Sequence, residues 1–75
     1  MKNDNKERDE RFKRVASRRT ESVLRSLRSL AKCANTRSYA YTDTQVRKIL
    51  KAIDFELAAC KKAFESMSGR KKFKL

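Results

Sequence analysis

The stretch Tyr41-Thr42-Asp43-Thr44-Gln45-Val46 carries every signal of a helix start, and it divides the chain into two helical runs. The Thr42 hydroxyl can cap the first turn, and Gln45, three residues on, can reach back to complete a capping box. Tyr41 before the cap and Val46 at the fourth helical position have the spacing of a hydrophobic staple. Asp43 places a negative charge where the helix dipole favours one. No proline occurs in the chain, and its single glycine is Gly69. Nothing therefore breaks a helix on either side of the connection.

The run before the start has one apolar seam. Phe12, Ala16, Thr20, Val23, Leu27, Leu30 and Ala34 are spaced mainly by fours and threes, with Val15, Leu24 and Ala31 on the flanks. That periodicity predicts a helix from about residue 8 to 34, after a flexible polar segment at 1–7. Asn35 suits a left-handed helix terminator, and Asn35 to Tyr41 forms a short connection. The run after the start repeats Val46, Leu50, Ile53, Leu57, Cys60, Phe64 and Met67 as a heptad seam, predicting a helix over 43–68.

A connection this short returns the second helix antiparallel to the first. The two seams then match layer by layer. Leu30 meets Val46, Leu27 meets Leu50 and Val23 meets Ile53. Thr20 meets Leu57, Ala16 meets Cys60 and Phe12 meets Phe64. The expected fold is all-α, an antiparallel two-helix hairpin with a basic C-terminal tail at 69–75. A hairpin alone buries little apolar area against a large conformational cost. The second helix also has apolar surface to spare: Ile49, Ala52, Phe55, Ala59 and Ala63 lie outside its seam, interrupted by Glu56. A homodimer forming a four-helix bundle would cover that face, as would a partner protein or the tail folded back.

Charge gives the functional bias. The chain has 75 residues, with 21 Lys or Arg against 9 Asp or Glu and a formal charge of +12. That excess points to a polyanionic partner such as nucleic acid. Much of it is organised. Arg11, Arg14, Arg18, Ser22, Arg25, Ser29 and Lys32 also step by threes and fours, in a stripe roughly opposite the apolar seam. No acid lies in this stretch of the stripe, whereas a solvated face usually mixes signs. Glu21 sits on its flank, at pairing distance in sequence from Arg18 or Arg25. Long cations alternating with small hydroxyls suit a phosphate backbone, with DNA and RNA equally open. Gly69 ends the second helix, and the tail adds Arg70, Lys71, Lys72 and Lys74 around Phe73. Tyr39 and Tyr41 are expected to close the end of the core, with base stacking beside Arg37 as the other reading.

Other chemistries find little to work with. There is no histidine, paired-carboxylate cleft, phosphate loop or metal-ligand spacing, so neither an enzyme nor a cofactor is expected. Cys33 and Cys60 read as reduced thiols at half-buried positions. With no membrane-length apolar run and a polar N-terminus, a soluble cytoplasmic protein is expected.

The block Arg11-Phe12-Lys13-Arg14-Val15-Ala16 through Arg19 is followed by Leu24, Leu27, Leu30, Cys33 and Asn35. Then come Tyr39-x-Tyr41-Thr42, Val46, Ile49 and Phe64. Together they resemble small basic helical proteins of bacterial plasmids, phages and other mobile elements. That group has no defined activity, so the resemblance implies a bacterial cytosolic setting and carries over no site residues. The sequence thus points first to a basic nucleic-acid-binding accessory or regulatory protein. The alternative is a helical interaction module, an adaptor or inhibitor, docking on an acidic protein through the Phe55 face.

Overall fold

The computed structural model describes residues 2–68, with side chains from 5 to 67. The described chain is all-helical: α1 spans Lys2–Ala31, a short 3-10 turn spans Lys32–Ala34, and α2 spans Asp43–Ser68. No strand occurs among the described residues. The chain divides between Ala40 and Tyr41 into two units, one holding α1 and the 3-10 turn, the other α2.

In the first unit, α1 begins at Lys2, six residues ahead of the start that apolar periodicity predicts, and takes in the segment expected to be flexible. Local bonds along the helix surface account for part of this. Arg8 Nη2 donates to Asn5 Oδ1 at 3.3 Å, at i,i+3 spacing. Within the predicted span itself, Lys13 Nζ pairs with Asp9 Oδ2 at 3.4 Å, at i,i+4 spacing. Such pairs stabilise a helix by roughly 0.2–0.5 kcal/mol each without any apolar face. The helical limits of α1 are therefore wider than its seam.

The C-terminal end of α1 differs from the expected left-handed stop. Asn35 is extended, at φ −66° and ψ 108°. The helix instead tightens into the 3-10 turn, where the Asn35 N–H donates to the Lys32 carbonyl at 3.2 Å. The Asn35 side chain then serves the next turn: its Oδ1 accepts the Arg37 N–H at 3.0 Å. Its carbonyl accepts the Ser38 and Tyr39 N–H groups at 3.2 and 3.0 Å. Asparagine is used here as an acceptor in an Asx turn, which leaves the left-handed conformation unnecessary.

The second unit opens as the sequence predicts. Gln45 N–H donates to Thr42 Oγ1 at 3.1 Å, and Thr42 N–H donates to Gln45 Oε1 at 2.8 Å. The Val46 N–H donates to the Thr42 carbonyl at 3.1 Å, the first bond of the helical ladder. The capping box is thus complete, and two orphan donors of the first turn are satisfied reciprocally. Asp43 lies in that turn, at the positive end of the dipole. Val46, the staple position, is half-buried, while Tyr41 is exposed.

Each unit holds its apolar residues on a helix surface. Val15, Ala16 and Leu30 on α1, and Val46 and Ile53 on α2, are half-buried. Leu27 keeps 39% of its surface exposed and Leu50 51%. Cys33 and Cys60 are free thiols, exposed where half-burial was expected, because no second element of their own units covers them. Among the described residues, no helix is long and apolar enough to cross a membrane.

Candidate nucleic-acid interface

The basic stripe stands on one unbroken helix. Arg11, Arg14, Arg18, Ser22, Arg25 and Ser29 all lie within α1, and Lys32 opens the 3-10 turn directly behind it. Ala31 keeps helical angles, φ −59° and ψ −27°, so Lys32 continues the line of the face. At about 100° per residue, the seven positions fall within an arc of about 80°. All seven side chains are exposed. From Arg11 to Lys32 the stripe is about 32 Å long, at 1.5 Å of rise per residue.

Its electrostatics are one-sided. The sole carboxylate between Arg11 and Lys32 is Glu21. Among the described residues, none of the stripe's cations is held in an ion pair, and the pairing with Glu21 that its spacing allows is not made. Five cations therefore share one face, repelling one another over distances comparable to a Debye length of about 8–10 Å. Such a face gains from any ligand that brings negative charge.

Two features were not drawn from apolar and basic spacing alone. Because α1 reaches back to Lys2, Glu7 falls on the same meridian as Arg25 and limits the purely basic stretch to Arg11 onward. On either side of the stripe stand Arg19 and Arg28, both exposed. Their helical positions lie about 100° and about 80° from its centre. A helical projection of residues 2–34 was the signal that would have found all three.

The rest of the basic set is dispersed. Arg37 follows the Asx turn, with its backbone N–H bonded to Asn35, and Tyr39 is exposed nearby in the chain. The tail residues Arg70, Lys71, Lys72 and Lys74, with the expected Gly69 cap, lie outside the described residues.

On α2 the predicted interface residues share a second face. Ile49, Ala52, Phe55, Ala59 and Ala63 fall within an arc of about 120° beside the heptad seam. All are exposed, and Phe55 keeps 72% of its surface open. Small residues on such a face allow a close approach, with Ile49 and Phe55 as its large apolar side chains. Among the described residues, no group of three or more His, Cys, Asp or Glu gathers in a way that could hold a metal. No family model, curated protein or solved structure matches the chain.

Proposed function

We propose that the chain is a small nucleic-acid-binding accessory or regulatory protein that contacts the phosphate backbone through the Arg11–Lys32 face of α1, with the basic tail adding charge. One observation carries this reading: five exposed cations and two serines lie along about 32 Å of a single helix face with no acid among them. Arginine reaches phosphate with bidentate geometry, and serine keeps the helix close to the backbone it contacts.

The fold that supports this function pairs α1 with α2 seam to seam as an antiparallel hairpin. In that register Leu27 meets Leu50, Val23 meets Ile53 and Phe12 meets Phe64. The basic stripe, opposite the seam, then faces outward. Burying such seams supplies roughly 25 cal/mol per Å² of apolar surface, which two helices alone convert into marginal stability. The Ile49–Ala63 face of α2 would meet a second copy, completing a four-helix bundle with two basic faces outward.

The test is a salt titration of binding to mixed-sequence DNA and RNA, single- and double-stranded, with light scattering in the same buffers. Binding that falls linearly in log salt, with a slope near −0.9 per neutralised phosphate, is expected. Absence of binding at low salt to every polymer overturns the reading. The 72% exposure of Phe55 favours one second reading, a module that docks on an acidic protein through that face of α2.

A further inference from the structure

The flanking arginines and the straightness of the stripe bear on which polyanion fits. We propose that α1 lies along the major groove of duplex DNA, a choice that rests on the nucleic-acid reading above and goes beyond it. Three observations lead there. The stripe bears no aromatic side chain; Phe12, the aromatic residue of α1, belongs to the apolar seam, about 120° round the helix from the stripe's centre. Single-strand binders of broad specificity rely on stacking platforms as well as charge, and this face offers none. Without stacking, such a face must draw its affinity from charge, which favours the polymer of highest charge density. A duplex presents one charge per about 1.7 Å of axis, roughly twice that of a single strand.

The second observation is the pair Arg19 and Arg28. A helix lying in a groove needs cations on both sides to meet the two rims. These two side chains flank the stripe at about 100° and about 80° on opposite sides, with Glu21 between Arg28 and the stripe. Arg18, Ser22, Arg25 and Ser29 then enter the groove, where the long arginine side chains can reach the phosphates along its walls. The third is size: a helix with its side chains is about 10–12 Å across, and the B-form major groove is about 12 Å wide. The A-form RNA major groove is too narrow and deep to admit it. The acidic Glu7 on the same meridian ends the contact at the N-terminal side, so the groove segment runs from Arg11 to Lys32. At about 3.4 Å per base pair, its length covers at most about nine base pairs.

The full-length protein is titrated against 16-base-pair duplex DNA, the matching single strand and the matching RNA duplex. The variants are Arg19→Ala and Arg28→Ala, with Arg19→Lys and Arg28→Lys retaining the charge. Helix content is checked by circular dichroism in each case. The expected result is at least tenfold tighter binding to duplex DNA than to either alternative at 0.1 M salt. Each alanine variant should reduce the log–log salt slope on duplex DNA by about 0.9, and each lysine variant should keep it. Equal or tighter binding to single strands or to RNA duplex overturns the groove proposal and leaves the phosphate-binding function standing. Unchanged slopes in both alanine variants overturn the placement of the rims. Absence of binding to all three polymers overturns this inference together with the reading it rests on.

Discussion

α1 and α2 are similar in length, 30 and 26 residues, and use their surfaces in opposite ways. α1 confines its apolar residues to one seam and gives the far side to Arg and Lys. α2 carries a seam of its own and further apolar residues round to Phe55, interrupted by Lys48 and Glu56. Its charges nearly balance: Arg47, Lys48, Lys51, Lys61 and Lys62 stand against Asp43, Asp54, Glu56 and Glu65. A helix apolar around much of its circumference belongs inside an assembly, and one with a single seam belongs at its edge. On that basis the proposed ligand contact falls to α1 and the proposed helix contacts fall to α2.

The sharpest way to break this division is to reverse the charge of α1. Changing Arg14, Arg18 and Arg25 together to Glu would remove three of the proposed phosphate contacts and add repulsion. The log–log salt slope should fall by roughly 2.7, and affinity at 0.1 M salt should drop by roughly three decades. Helix content should be retained, because all three side chains are exposed on the side away from the seam. If binding survives the triple reversal, the ligand surface lies elsewhere, with the tail as the first candidate.

The next effect concerns the seams. Leu50→Ala removes a central apolar group from α2 and should cost about 2–5 kcal/mol if that residue is enclosed by α1. For a protein of this size that is most of the available stability. A thermal melt followed by circular dichroism should lose its cooperative transition. A melt unchanged by Leu50→Ala would mean that the seams do not meet. Smaller again is the effect of Phe55→Glu, which tests the second face of α2. Its cost should be about 2–3 kcal/mol per protomer, seen as dissociation in light scattering, with the melt of the individual hairpin little altered. DNA affinity should fall only as far as two joined basic faces bind better than one. The opposite pattern, with the charge reversals harmless to partner capture and Phe55→Glu damaging, assigns function to α2.

These expectations follow from what the residues specify locally, and the structure shows where that stops. The capping box was legible because both of its bonds join residues three apart, and nothing distant competes with them. The stripe was legible for the same reason: one continuous helix fixes the angle between Arg11 and Lys32. The start of α1 was not, because the polar segment before Arg8 has no apolar period to read, only short-range bonds such as that of Arg8 with Asn5. Asn35 was misread because asparagine ends helices in two ways, by a left-handed backbone or by its side-chain oxygen, and the sequence does not distinguish them. The proposed pairing of the seams is a different kind of problem. A heptad pattern repeats itself after seven residues, so the period specifies the face and leaves the register to the connection and the end layers. Arg19 and Arg28 fall outside the stripe's spacing, which picks out only cations repeating along one meridian.

The smallest effect sharpens the comparison at the point where α2 begins. In Thr42→Ala the Gln45 N–H loses its acceptor, and the loss should be about 1 kcal/mol. In Gln45→Ala the Thr42 N–H, exposed at the chain entry, can turn to water instead, so the cost should be a few tenths of a kcal/mol. The two bonds form one reciprocal unit, so the double variant should cost less than the sum of the singles. Hydrogen exchange at the Gln45 and Val46 amides is the measurement that resolves it. Protection at Gln45 should fall in Thr42→Ala and change little in Gln45→Ala, whereas the amides of α1 should be unaffected by either. Equal loss along both helices would mean that the start of α2 is cooperative with α1 rather than a local cap, and the two units would have to be treated as one.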